Sequence, residues 1–514
     1  MSITLCHESL RTTLSGTEVS GIAQFRGIPY GYIPRRFEEA KKLDQLPGHL
    51  DCTKFGPRCP QIQADVGHLL RIPPHHKLPV EPEDEFECTN LDVTLPKLDS
   101  LSSLDKLPVL VWIHGGSQAV SFGTAASGIC ESYAFLSLTD MTTIVADSVR
   151  QRKPIISVTV QYRLNIFALG KGNGEGPVNL ALRDQALALQ WIQEHISGFK
   201  GDPTRVTLAG ESAGAVYCHA HLTRNAPVQQ YILSSGTLYL SPPQSPKSVQ
   251  TLRDAVLKQV KAINPLLDLD TASVDEITKA VRHSGLQSFC LEWEEQFEDW
   301  QNSSLESKRI MLGDVNKEAV IWQTGVRLLS PNEILAAFDA AGEHSDELKK
   351  AYHIYMDRPS SCYNGAIDFI NDYKFLLPIQ RLEKFFRRDA QIPIFRYLID
   401  EANPWQPSSG AHHAVDLILL FGGFDLSFSR GSELTGQAMR DIWTKFINVE
   451  QPWTSSESGR CYGFGPHGVS KVLNDWEVKA RRRIAEANIL EKMDSMLLDR
   501  AFVALAAGRV SLSN

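Results

Sequence analysis

Short apolar, β-branched runs recur along the chain and alternate with longer stretches of helical period. The runs are "LPVLVWI" (107–113), "PIISVTVQY" (154–162), "RVTLAG" (205–210), "YILSSG" (231–236), "RIMLG" (309–313) and "IPIFRYLI" (392–399). This alternation predicts a sheet wrapped by helices. Between the second and third runs, Leu182, Ala186, Leu189, Ile192 and Ile196 fall at gaps of four, three, three and four, one face of a helix ending at Ser197-Gly198. A helix so placed is the crossover of a βαβ unit, so its flanking strands should be parallel.

The first hundred residues are rich in Pro and short polar turns, and predict an N-terminal β-meander with long surface loops. Residues 241–308 and 326–390 are polar and helical in pattern ("EITKAVRHSGLQSFCLEWEEQFEDW", "RLEKFFRRD") and break the strand rhythm, as insertions covering a site would. Large α/β enzymes grow by decorating one sheet, so the expectation is one decorated domain over residues 1–514. "GKGNGEGP" (170–177) lacks the Lys-Ser/Thr ending of a phosphate loop and reads as a plain loop. "PPHHKLP" (73–79) has two histidines without spaced co-ligands and reads as solvated.

A formal net charge of -8 gives no basic field for a polyanion, which argues against a nucleic-acid partner. No apolar run approaches the roughly 20 residues of a membrane span. The N-terminus, "MSITLCHESLRTTLSGTEVSG", lacks the basic and apolar regions of a secretory signal, which predicts a cytoplasmic location. Nine cysteines are scattered without C-x-x-C pairs or zinc spacing, so no metal site is expected and most should be buried small hydrophobes.

The chemistry begins at "RVTLAGESAG" (205–214), where a strand pattern runs into Ser212 between Gly210 and Gly214. Chance alone gives G-x-S-x-G in roughly one chain in six of this size, so context decides. A serine at a strand-to-helix elbow has its hydroxyl forced out at the carboxyl edge of a sheet, and the helix starting at Ala213 favours negative charge there. A serine alone is a weak nucleophile and needs a base and an anion-stabilising pocket. After "PVLVWI" comes "HGGS", where the backbone N–H groups of Gly116 and Ser117, with that of Ala213, can meet a developing oxyanion. After "RIMLG" comes "DVNKEAVIW", offering Asp314 or Glu318 as the acid; "SSGAHHAVDLILLFGG" offers His412 or His413 as the base. The chain order serine, acid, histidine is that of the α/β-hydrolases.

Together these motifs resemble the type B carboxylesterase and cholinesterase branch of the α/β-hydrolase fold. The resemblance runs from "GIAQFRGIPYG" (21–31) through "PVLVWIHGG" and "VTVQYRLNIFALG" (158–170). It is densest in "NLALRDQALALQWIQEHISGFKGDPTRVTLAGESAGA" (179–215) and returns at "GDVNKEA", "GAHHAVDLILLFG" and "MRDIWTKFINVEQPW" (439–453). It implies an α/β-hydrolase fold: a large, mostly parallel central sheet flanked by helices, with helical insertions over the active site. By position it implies Ser212 as nucleophile, Glu318 as triad acid and His413 as base, with Asp314, Asp416 and His412 as neighbours. The implied reaction is hydrolysis of a small or medium organic ester through an acyl-enzyme, with no metal or organic cofactor. Lactone or amide opening and acyl transfer to an alcohol use the same triad. A non-catalytic binding protein is the competing class, and it would lack one of these three residues.

Three departures from the family pattern stand out. The oxyanion loop reads "HGGSQAVSFG": Ser117 replaces a glycine or alanine, Gln118 replaces an aromatic wall, and two extra residues precede Gly123, so a polar or unusually shaped acyl pocket is expected. Tyr217 stands where many members have a small serine, and is expected to pack in the core. Cys59 and Cys88 match the two cysteines bridged in secreted relatives, a possible disulfide at odds with a cytoplasmic location.

Overall fold

The computed structural model describes residues 2–43, 45–76, 82–97, 106–121, 140–172, 174, 176–298, 300–302, 305, 308–454 and 461–507. All six apolar runs appear as neighbouring parallel strands of one large sheet. The sheet comprises β1 (Ser2–His7), β2 (Thr12–Val19), β3 (Ile22–Pro29), β4 (Asn90–Pro96), β5 (Leu107–Ile113), β6 (Ile156–Val160), β7 (Gly201–Glu211), β8 (Gln230–Ser234), β9 (Arg309–Val315), β10 (Ile394–Ile399), β11 (Cys461–Phe464) and β12 (Ser470–Leu473). Their order across the sheet is β1-β2-β3-β4-β6-β5-β7-β8-β9-β10-β11-β12, with a short strand, His49–Asp51, added beside β2.

From β6 across to β11 every pairing is parallel, and both flanks are antiparallel apart from His49–Asp51, which runs parallel to β2. The central strands β5, β6 and β8 are buried at every position, as parallel strands covered on both faces must be. The predicted crossover helix spans Leu180–His195 and passes into a 3-10 turn at Ile196–Phe199. The N-terminal meander is present as β1 to β4. This is the α/β-hydrolase fold.

The two insertions are helical, as their patterns require. The first holds Pro246–Ile263 and Val274–Ser284, each opened by a serine whose side chain accepts from the first turn. The second holds Pro331–Asp339, Ser345–Ala351, Pro359–Asn371 and Leu377–Lys384. Helices Val320–Arg327, Pro359–Asn371 and Ser495–Ala506 pack a second apolar cluster around Trp322, Phe338 and Phe369, apart from the core of the sheet. Among the described residues no helix is long and apolar enough to cross a membrane.

Candidate active site

The sheet converges on its carboxyl edge, where β7 ends and Ser212 turns the chain into helix Ala213–Thr223. Ser212 takes φ 54° and ψ -122°, a conformation costing on the order of 1–3 kcal/mol that persists only where its surroundings impose it. They do. The Ser212 N–H donates to Ser234 O at 2.9 Å, its carbonyl accepts from Val216 N–H at 3.1 Å, and Gly214 lies so close to β5 that a Cβ there would meet Ile113 O at 2.1 Å.

The ends of β9 and β10 deliver the partners. His413 Nε2 stands 2.9 Å from Ser212 Oγ, and its Nδ1 stands 2.6 Å from Glu318 Oε2. The other oxygen of Glu318 accepts from Val315 N–H at 2.8 Å, which fixes the carboxylate at the strand end. Asn371 Oδ1 accepts from the N–H groups of Glu318 (2.7 Å) and Ala319 (3.3 Å), tying this turn to helix Pro359–Asn371. Phe375 sets its ring edge-on to His413, centroids 5.6 Å apart. Of the two adjacent histidines, His413 reaches the serine. His412 instead pairs Nε2 with Asn403 Nδ2 at 2.9 Å and Nδ1 with His413 O at 2.9 Å, and burial holds its pKa down to about 4.

The neighbouring acids are structural, as expected: Asp314 pairs with Arg482, and Asp416 accepts from Ser234 Oγ at 2.7 Å. Burial lifts Asp416 to about 6. Sequence reasoning missed Glu211, the last residue of β7, whose Oε1 lies 3.2 Å from His413 Nε2. Glu211 is fully buried and neither of its carboxylate oxygens has a hydrogen-bond partner, so burial pushes it well above the usual carboxylate range. Burial alone would lower His413, but Glu211, then Glu318 and Asp416, hold its pKa up at about 9. The glutamate and the histidine thus keep a proton between them. The signal that could have found Glu211 is its place beside Ser212, on the strand that ends at the site.

The oxyanion-loop residues gather at the same spot. Gly116 has φ +120°, and a Cβ there would lie 1.9 Å from Val120 O, so only glycine fits the turn. The Gly116 carbonyl accepts from Ala119 and Val120 N–H, and that of Ser117 from Phe289 N–H at 3.0 Å. Ser117 and Gln118 follow at φ 55° and 60°. Ser117, Gln118, Ser212 and Ala213 border one cavity of about 520 Å³. Its far walls include Phe289 and Lys374 of the insertions, Trp322 of helix Val320–Arg327, Phe502 of the C-terminal helix, and Leu240. Gln118 is buried there, where an aromatic wall was replaced, and the pocket is polar at that point as expected. Gly123 lies outside the described residues. Tyr217 packs in the core, edge-on to Tyr162.

Cys59 and Cys88 are buried neighbours with their sulfurs in hydrogen-bonding contact. The Cys59 sulfur also accepts from Leu164 N–H at 3.3 Å. His75 is exposed, as predicted, whereas His76 is half-buried against Trp405 and Phe424.

A serine, a histidine and a carboxylate in line at the carboxyl edge of such a sheet define a serine hydrolase of the α/β type. The chain belongs to the Carboxylesterase family, whose pattern matches residues 9–463. It is 31% identical over 470 residues to "Lipase 1" of Yarrowia lipolytica, covering 88% of each chain. A 211-residue stretch, 40% of this chain and 33% of the relative, is 34% identical to "Secreted lipase ARB07186/07185" of Arthroderma benhamiae. Among solved structures, "THERMOPHYLIC PNB ESTERASE" superposes with a TM-score of 0.71 at 23% identity, covering 94% of this chain and 99% of that one. The protein is a carboxylic ester hydrolase.

Proposed function

We propose that hydrolysis runs through Ser212 as nucleophile, His413 as general base and Glu318 as the acid that orients it, acting on a small or medium organic ester. One observation carries this reading: the unbroken relay from Ser212 Oγ to His413 Nε2 (2.9 Å) and from His413 Nδ1 to Glu318 Oε2 (2.6 Å). His413 takes the serine proton as Oγ attacks the ester carbonyl, and Glu318 stabilises the imidazolium that forms. The backbone N–H groups of Gly116, Ser117 and Ala213 hold the oxyanion, each donor contributing about 2.7–4 kcal/mol of barrier lowering in sites of this kind. His413 returns the proton to the leaving alkoxide, and water repeats the cycle on the acyl-enzyme. A cavity of about 520 Å³ suits a substrate of modest size.

The test is intact-mass analysis after treatment with a fluorophosphonate, on wild type beside Ser212→Ala and His413→Ala. One adduct on the wild type and none on either variant supports the assignment; a folded wild type that stays unlabelled overturns it.

For the compartment, Cys59 and Cys88 are the pair that decides, since a reducing cytosol keeps such thiols free, while one relative is named a secreted lipase. Alkylation of the denatured protein without reductant, read by peptide mapping, tests it: Cys59 and Cys88 both modified fit the cytoplasm, and a bridged pair fits export.

A further inference from the structure

Two charged side chains line the chamber beside Ser212, Lys374 and Asp499. Lys374 lies in the π-helical turn Asp372–Leu376, directly after the helix that supplies Asn371, and such turns gather at functional sites. It is 4% exposed and borders the same cavity as Ser117, Gln118 and Ser212. Its Nζ lies 4.6 Å from the ring centre of Phe502 and 5.5 Å from that of Tyr373. The rings attract the charge but take none of its three N–H donors. The Lys374 ammonium makes no hydrogen bond or ion pair among the described residues. Asp499, the acid that acts on it, accepts the Tyr373 hydroxyl at 2.7 Å and attracts the ammonium only from further off.

An ammonium so placed carries a desolvation penalty of several kcal/mol that nothing in the protein offsets fully. Burial pushes the pKa of Lys374 down to about 8, which leaves most of it charged at neutral pH. A buried ammonium is rarely left without an acceptor, and one that faces a cavity is explained if a ligand completes it.

We propose that this chamber selects esters that carry an anionic oxygen group, a carboxylate foremost, which Lys374 Nζ binds. The inference rests on Ser212 as the nucleophile of this cavity. A charge-assisted hydrogen bond in a water-poor pocket is about twice as strong as a neutral one, so the ammonium discriminates between substrates of equal shape and unequal charge. The apolar walls Leu240, Ile321 and Trp322 take the hydrocarbon between the two ends.

The test compares matched pairs: mono-4-nitrophenyl glutarate against 4-nitrophenyl valerate, and the acetate ester of 3-hydroxybenzoate against that of 3-methylphenol. In wild type, kcat/KM should favour the carboxylate member of at least one pair by tenfold or more. Lys374→Met should collapse that ratio toward one, mainly through KM of the charged ester, and Lys374→Arg should retain part of it. A wild type without preference in either pair, or a Lys374→Met ratio equal to wild type, overturns the proposal. Calorimetric titration of glutarate into Ser212→Ala protein needs no chemistry and separates the two readings. Glutarate binding that vanishes with the additional Lys374→Met supports the charged wall even if ester turnover fails; no binding to Ser212→Ala overturns it.

Discussion

His413 and Glu211 face each other across 3.2 Å on the very nitrogen, Nε2, that His413 turns toward Ser212. The imidazole therefore has a carboxylate on each side, Glu318 on Nδ1 and Glu211 on Nε2, and both stabilise its protonated form. A base must lose that proton before it can act. Replacing Glu211 by Gln keeps the shape and removes the charge that leads in holding His413 up. Imidazolium then becomes less favoured, so the acid limb of kcat/KM against pH should move to lower pH in Glu211→Gln. Plateau kcat should fall roughly tenfold, about 1.4 kcal/mol for one charge removed from beside the imidazolium of the transition state. Stopped-flow acylation rates across the pH range check both; an unmoved limb would mean that Glu211 is neutral throughout and does not act on the base.

Glu318 does two things that Gln cannot. In the proposed mechanism its two oxygens accept from Nδ1 and from Val315 N–H at once, which one amide oxygen cannot do, so the tautomer with Nε2 free as a base is held, and its charge neutralises the imidazolium once formed. Glu318→Gln should lower kcat by about 10³–10⁴, the scale seen when a triad carboxylate becomes an amide, with the fold intact. Asn371→Ala removes the acceptor that holds Glu318 and Ala319 N–H, leaving the carboxylate in place but loosely aimed. A smaller loss, on the order of tenfold, is expected, with KM little changed. Pre-steady-state acylation kinetics with a chromogenic ester measure both variants.

Much of this was legible in the chain, and what was not has a physical reason. The parallel strands announced themselves as apolar runs because both their faces are buried, and Ser212 because only small neighbours permit its turn. His412 and His413 are alike in composition and differ only in which way a one-residue step points the ring, so position in the family pattern and not residue type separated them. Asn371 and Lys374 escaped notice because they sit in a helical insertion whose pattern reports burial and says nothing about which loop it will touch. Glu318, which Asn371 holds, and Ser212, whose cavity Lys374 lines, lie 53 and 162 residues earlier in the chain. The C-terminal helix Ser495–Ala506 walls the cavity with Asp499 and Phe502, although no motif marked it.

The family motifs also hold a buried ion pair that supports the site from behind. Arg163 after β6 grips Asp184 of the crossover helix at two points, Nε to Oδ2 at 2.8 Å and Nη2 to Oδ1 at 2.7 Å, both side chains almost wholly buried. The Asp184 carboxylate also accepts from the Arg163 N–H at 3.2 Å. Removing one charge of such a pair strands the other, a loss of about 3–5 kcal/mol. Asp184→Asn should therefore lower unfolding stability by that amount in urea titrations followed by tryptophan fluorescence. A change below about 1 kcal/mol would show that the arginine finds water instead.

The elbow itself depends on Gly214. This residue lets helix Ala213–Thr223 begin within reach of β5, since a Cβ there would stand 2.1 Å from Ile113 O and 2.9 Å from His114 C, both backbone atoms that cannot swing aside. Gly214→Ala must push the helix start away from the strand, and with it Ser212 and the Ala213 N–H. The expected cost is on the order of 3 kcal/mol, the upper range for overpacking a rigid site. Activity should fall further than stability, because a shift near 1 Å at the nucleophile costs about 10²-fold in rate. Gly48→Ala, on an exposed turn with nothing within 4 Å of the added methyl, is the control and should change stability by no more than about 0.5 kcal/mol. Thermal melts of both variants beside fluorophosphonate labelling rates read the two effects separately. If Gly214→Ala labelled at the wild-type rate, the close approach of helix and strand would not be what positions Ser212.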